Sequence, residues 1–260
     1  MKLAWLTDIH LNFLGPTELS NFCQGLREKV CDALLITGDI AEAPTIEHYL
    51  LRLKSQIHSP IYFVLGNHDF YHGSIVEVAR RMQHHEGWLT KGDIVPLCST
   101  SALIGHDGWA DGRLGDYAAS PVMLRDYICI QELTGLSKKR RLAVLNNLGD
   151  KAAAELKPTL EKTLQQYHYV YCATHVPPFK EACWHEGKIS DDNYLPHFAS
   201  KVMGDMLYEV MKRHPDKKLT VLCGHTHSSG YTKILPNLDV KTGAAVYGEP
   251  KIQEILQLGK

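Results

Sequence analysis

The stretch 61-IYFVLGNHDFY-71 decides the fold. Residues 61–65 are five consecutive apolar side chains, the pattern of a short strand covered on both faces, and the chain then turns at Gly66 directly into Asn67, His68 and Asp69. A core strand that ends in an amide, an imidazole and a carboxylate puts polar chemistry at its carboxyl end. Working outward, the same arrangement recurs. Apolar strands are expected over 3–7, 33–37, 61–65, 102–104, 169–173 and 219–222. Amphipathic helices are expected over 16–29, 45–58, 74–85, 138–167 and 199–214, with Pro16 in a first turn and Ser74 as an N-cap. Strands alternating with helices in the first third indicate βαβ units and parallel pairing, and beyond residue 219 the elements turn short and β-rich.

Four more strands end in polar groups. They are Asp8 and His10 after 3–7, Gly38-Asp39 after 33–37, Thr174-His175 after 169–173, and Gly224-His225-Thr226-His227 after 219–222. Ligands of open α/β sheets bind beyond the carboxyl ends of the strands, so the five groups should converge. Carboxylate, imidazole and amide oxygen are donors for hard or borderline divalent ions, and seven of them exceed what one ion needs. Two ions about 3.5–4 Å apart would polarise a phosphate and acidify a shared water. Gly38, Gly66 and Gly224 would let the chain turn sharply at the strand ends.

Composition limits the alternatives. The chain has 260 residues, enough for one large core, and 28 Lys+Arg against 29 Asp+Glu, so no net field steers it to nucleic acid or an anionic membrane. Seven cysteines form no CxxC pair and mostly sit in apolar runs, which suits a reducing, cytoplasmic setting. The first ten residues are apolar for too short a run to make a signal segment, and no run of about twenty apolar residues exists to span a membrane. No repeat or linker divides the chain, so a single domain over 1–260 is expected, with irregular substrate-side segments at 107–136 and 176–193. No motif fixes an oligomeric state.

The five blocks, in order D-x-H, G-D, G-N-H-D, H and G-H-x-H, resemble those of the calcineurin-like metallophosphoesterase superfamily from Asp8 to His227. Chance alone gives roughly 0.07 Gly-His-x-His in a chain with 20 Gly and 15 His, so the joint occurrence at five strand ends carries the resemblance. It implies an α/β fold with a β-sandwich core of mixed sheets flanked by helices, in four αββα layers. It also implies a metal-dependent phosphohydrolase that cleaves a phosphomonoester or phosphodiester with a hydroxide bridging two divalent ions, Mn, Fe or Zn. By the resemblance Asp8, His10, Asp39 and His227 hold one ion, and Asp39, Asn67, His175 and His225 the other. His68 would be the acid that protonates the leaving oxygen, with Asp69 orienting it.

Three competing readings are a non-catalytic scaffold on the same fold, a nuclease, and a nucleotide or lipid-pyrophosphate hydrolase. Scaffolding relatives have eroded ligand sets and lack the histidine matched by His68; a nuclease calls for a basic groove; the lipid A pathway relatives, suggested by the opening D-x-H-L, carry Arg where this chain has His68. The remaining histidines His58, His72, His84, His85, His168, His197 and His214 read as ordinary surface or satisfied residues. Substrate contacts are sought in the irregular segments. Trp109, Arg113 and Tyr117 offer stacking and phosphate pairing, and Phe179, Trp184, His185 and Lys188 begin at the rim of the cleft. The expected partner is a small phosphoester.

Overall fold

The computed structural model describes residues 1–258. In chain order the elements are β1 (Lys2–Leu6), α1 (Pro16–Glu28), β2 (Ala33–Thr37), α2 (Ile46–Gln56), β3 (Ile61–Val64), α3 (Ile75–Met82), β4 (Val95–Pro96), β5 (Ser101–Gly105), α4 (Asp126–Cys129), α5 (Lys138–Gln166), β6 (Tyr169–Ala173), β7 (Trp184–His185), β8 (Lys188–Ile189), α6 (Leu195–Phe198), α7 (Lys201–Lys212), β9 (Lys218–Cys223), β10 (Gly230–Leu235), β11 (Leu238–Thr242) and β12 (Glu254–Gln257).

The parallel strands do not form one sheet. One sheet has the order β12-β1-β2-β3, parallel except for the antiparallel edge strand β12, and a second has the order β10-β11-β9-β6-β5-β4, parallel at its centre with antiparallel strands at both edges. The period-two alternation of each strand explains why both faces are apolar. In β1 and β2 the side chains Leu3, Trp5, Ala33 and Leu35 face Leu103, Ala173 and Leu222 of the other sheet, which makes the inter-sheet core. The alternate residues Ala4, Leu6, Leu34 and Ile36 face outward and are covered by Leu19, Cys23 and Leu26 of α1, Leu50 and Leu53 of α2, and Val78 and Met82 of α3. On the far side Val170, Cys172, Leu219 and Val221 are covered by Leu156, Leu160 and Leu164 of α5 and Met203, Leu207 and Val210 of α7. Helices, sheet, sheet, helices is the four-layer αββα architecture, with mixed sheets as expected.

Because β1, β2, β3, β5, β6 and β9 run parallel within their sheets and the sheets stack, their carboxyl ends share one rim. Backbone bonds stitch it: Asp8 N–H donates to Gly38 C=O at 3.0 Å and Gly224 N–H to His175 C=O at 2.9 Å. Asp107, just past β5, accepts from Leu65 N–H at 2.7 Å, the Trp88 indole at 3.0 Å and the Thr90 hydroxyl at 2.6 Å, tying one sheet to the other.

Candidate metal centre

The rim gathers all seven side chains expected to bind metal. Asp8, His10 and Asp39 are buried, and with His227 they offer ligand atoms that all lie within 4.8 Å of one another. His227 Nε2 is 3.4 Å from Asp8 Oδ1 and 3.4 Å from His10 Nε2. Asp39 is shared between two groups of ligands: Oδ2 is 3.7 Å from His10 Nε2, while Oδ1 is 3.3 Å from His175 Nε2. On that second side Asn67 Oδ1 is 3.0 Å from His175 Nε2 and 2.9 Å from His225 Nδ1.

These contacts cannot be ordinary hydrogen bonds. His175 Nδ1 lies 2.8 Å from the Thr37 carbonyl and His225 Nε2 3.1 Å from the His197 carbonyl, so in each ring that nitrogen carries the hydrogen. Burial lowers the pKa of both imidazoles, that of His225 to about 4, which keeps the rings neutral. Their other nitrogens therefore present lone pairs. The Asn67 amide is fixed as well, because its Nδ2 donates to Asp126 Oδ1 at 2.8 Å and to the Tyr71 hydroxyl at 3.3 Å, leaving the oxygen to face the histidines. Lone pairs on His175, His225, Asn67 and Asp39 thus converge with no proton between them. A cation satisfies such a convergence, and the donor set suits a divalent one.

Charge leads to the same conclusion. Asp8 and Asp39 are both buried, and among the described residues the only ion-pair partners of their carboxylates are histidines, with no Lys or Arg. Burial, then the Asp8 and Asp69 carboxylates, push the Asp39 pKa well above the usual range. Burial pushes His10 down to about 3, and its Nδ1 is buried without a partner.

Backbone conformation marks the same residues. Of the eight non-glycine residues with positive φ among those described, five are Asp8 (48°), His10 (39°), Asp39 (52°), His225 (71°) and His227 (58°). The left-handed region is costly for side-chain-bearing residues, and such strain collects at functional sites. The glycines divide the work differently from the sequence expectation. Gly38 does turn with φ of 91°, but Gly66 and Gly224 keep ordinary φ and serve close packing. A Cβ on Gly66 would collide with Asp39 Oδ1, and one on Gly224 with Asp8 Oδ2 and the Thr7 hydroxyl.

His68 sits on the cleft wall with its side chain 14% exposed, stacked on Tyr71 at 4.2 Å between ring centroids and with Nε2 4.0 Å from Asp39 Oδ2. Burial, then the neighbouring histidines, lower its pKa to about 2. The expected orienting role of Asp69 is corrected. Its carboxylate accepts from the backbone N–H groups of Ile40 at 2.9 Å, Ala41 at 2.8 Å and Gly66 at 2.8 Å, and so ties the loop after β2 to the loop after β3. The partner of the His68 ring is Tyr71.

The metal-ligand cleft has a volume of about 260 Å³ and is lined by Leu124, Arg125, Asp126, His185, Phe198, Thr226 and Tyr247 besides the residues above. Three substrate candidates are elsewhere. Trp109 is buried against Phe70, Arg113 is held by Asp111 at 3.2 Å and Asp150 at 2.8 Å, and Trp184 packs over Gly230. Tyr117 is a core residue too. The two irregular segments still reach the cleft, through Leu124 to Asp126 and through His185. Asp126 was the missed residue of most consequence. It lies within a poorly periodic stretch and carries no motif, and only contact with Asn67 reveals it.

A profile for calcineurin-like phosphoesterase matches residues 1–229. A UDP-2,3-diacylglucosamine hydrolase from Shewanella loihica is 38% identical over 85 residues, 28% of this chain and 34% of that protein, so the match spans about a third of its length. Among solved structures, the phosphopantetheinyl hydrolase of Mycobacterium tuberculosis is similar in fold with a TM-score of 0.65 at 14% identity, covering 95% of this chain and 90% of the other. A dimetal phosphatase from Danio rerio gives 0.60 at 11% identity, covering 96% and 89%. Since the profile runs from β1 through the loop that bears His225 and His227, this chain belongs to the calcineurin-like phosphoesterase family.

Proposed function

We propose that the protein hydrolyses a small phosphomonoester or phosphodiester with two divalent ions, of Mn, Fe or Zn, held by Asp8, His10, Asp39, Asn67, His175, His225 and His227, with Asp39 shared. The observation that carries the reading is the convergence of unprotonated lone pairs and two buried carboxylates at one rim. When bound, such ions supply the Lewis acidity that polarises a phosphoryl group and acidifies water near neutral pH.

The chain's own residues do the rest. The Thr37 and His197 carbonyls hold His175 and His225 in the tautomers that present lone pairs, and Asp126 holds Asn67 oxygen-inward. His68 donates a proton to the leaving oxygen; its neutral ring in the free site becomes the better-protonated one once a phosphate anion is beside it. Arg125 is the cleft's cationic wall. Residues 1–260 act as one domain. Near-neutral charge supports a small substrate over nucleic acid, and seven unpaired cysteines support a cytoplasmic setting. Among the described residues no helix is long and apolar enough to cross a membrane.

The test is a panel of an aryl monoester, an aryl diester and cyclic nucleotides with protein reloaded with Mn²⁺. Turnover of one ester class, abolished by chelation, is expected. Loaded protein that turns over none of them would favour a binding scaffold.

A further inference from the structure

A second cavity, of about 570 Å³, opens between α3 and α5 and shares no lining residue with the metal-ligand cleft. Its volume is that of a small-molecule site. The deeply buried rings of Phe70, Trp88 and Trp109 make an aromatic floor, and Ala79 of α3 with Leu148 and Ala152 of α5 make apolar sides. The charged groups around this lining are matched, with one exception. Lys91 pairs with Asp93 at 3.8 Å, Lys151 with Glu155 at 3.8 Å, and His106 Nε2 with Glu155 at 3.0 Å. His106 Nδ1 is occupied too, accepting from Gly108 N–H at 3.1 Å.

The exception is Asp107, which is 6% exposed and has no Lys or Arg partner among the described residues. Its three side-chain hydrogen bonds, from Leu65 N–H, the Trp88 indole and the Thr90 hydroxyl, all end on Oδ1. Oδ2 accepts none among the described residues. It is not one of the sealed polar atoms left without a partner either, so solvent reaches it, and the cavity that Asp107 lines is the route. A buried carboxylate with one free oxygen is costly until a cation or donor meets it, and indole faces attract organic cations.

We propose that this cavity binds an organic ammonium ion with an apolar body, of the arylalkylamine class, whose N–H donates to Asp107 Oδ2 while its carbon skeleton covers Trp88 and Trp109. An inorganic cation would need several oxygen donors where the floor offers aromatic rings. An anion would find the lysines of the lining already paired. The site is independent of the phosphoesterase reading.

The test is calorimetry at neutral pH on the Mn²⁺-loaded full chain, with 2-phenylethylamine against its uncharged isostere 2-phenylethanol; the loaded metal centre keeps ammonium ions off Asp8 and Asp39. The amine should bind about tenfold or more tightly than the alcohol, the usual worth of a charge-assisted hydrogen bond. Asp107→Asn keeps an oxygen to accept the three bonds of Oδ1 and puts an amide nitrogen in place of Oδ2, so it should bring that ratio to about one. Ala79→Phe fills the cavity from α3 with Asp107 left in place, and should weaken both compounds about tenfold or more; it decides the matter if Asp107→Asn fails to fold. Equal binding of amine and alcohol by the wild type overturns the site, as does an amine preference that survives in Asp107→Asn, amine binding unmoved by Ala79→Phe, or the absence of saturable amine binding.

Discussion

At the scale of single residues, Asp39 and His68 sit within 4.0 Å of each other and have separable roles. Asp39→Ala removes the carboxylate that, among the described residues, faces both groups of proposed ligands, so two cations would be left in close repulsion without a shared anion. Metal analysis should then find both ions lost and activity gone; two ions retained per chain would contradict the sharing. His68 contributes no lone pair to the convergence, so His68→Ala should keep both ions while slowing hydrolysis by about 10² to 10⁴, the usual worth of a general acid. The deficit should be smaller for a nitrophenyl ester, whose leaving oxygen is already a weak base, than for an alkyl ester. Equal deficits would assign His68 to phosphate binding instead.

At the scale of elements, what matters is how loops past different strands are locked together. Asp69 is fully buried, and its carboxylate satisfies three backbone donors from two loops. Asp69→Ala would strand those N–H groups at about 1–3 kcal/mol for each one left unsatisfied, so denaturant unfolding should show a loss of several kcal/mol. The surviving folded enzyme should keep the wild-type dependence on leaving group. A variant that instead reproduced the His68→Ala pattern would restore Asp69 as the acid's orienter. The strand ends were legible from sequence because apolar runs stop abruptly at Gly-Asp, Gly-Asn-His-Asp and Gly-His-x-His, and helices α1, α2, α3, α5 and α7 lie within three residues of the expected bounds. The split into two sheets was not, from the residues alone. A buried parallel strand has apolar residues on both faces in one sheet or two, and only the resemblance indicated a sandwich. Trp109 and Arg113 misled because a Gly- and Asp-rich loop that packs inward has the same composition as one that opens onto a ligand.

At the scale of the molecule, the site is a place where the fold concentrates buried carboxylates without Lys or Arg partners, and the proposed ions would complete it. Stripping them should lower the melting temperature, since a ligand that binds only the native state contributes RT ln(1 + [L]/Kd), about 2.7 kcal/mol at a hundred times Kd. Calorimetric scans before and after chelation, with Mn²⁺ readdition restoring the transition, measure this; an unchanged transition would mean that the cluster is satisfied without metal.

The five left-handed residues proposed as ligands have a consequence for anyone who wishes to engineer the protein. A stability screen that rewards glycine at positive φ would include Asp8, His10, Asp39, His225 and His227 among its targets, and each such change would delete a proposed ligand. Hardiness and activity are therefore opposed at these positions by backbone geometry. Val30 escapes the conflict: it is β-branched, has φ of 46°, is 75% exposed, follows the last turn of α1 and is not among the proposed ligands. Val30→Gly should relieve about 1 kcal/mol of left-handed strain and raise the melting temperature by about 2–4 °C with metal content unchanged. Robustness can thus be added at a helix end that the catalytic rim never uses.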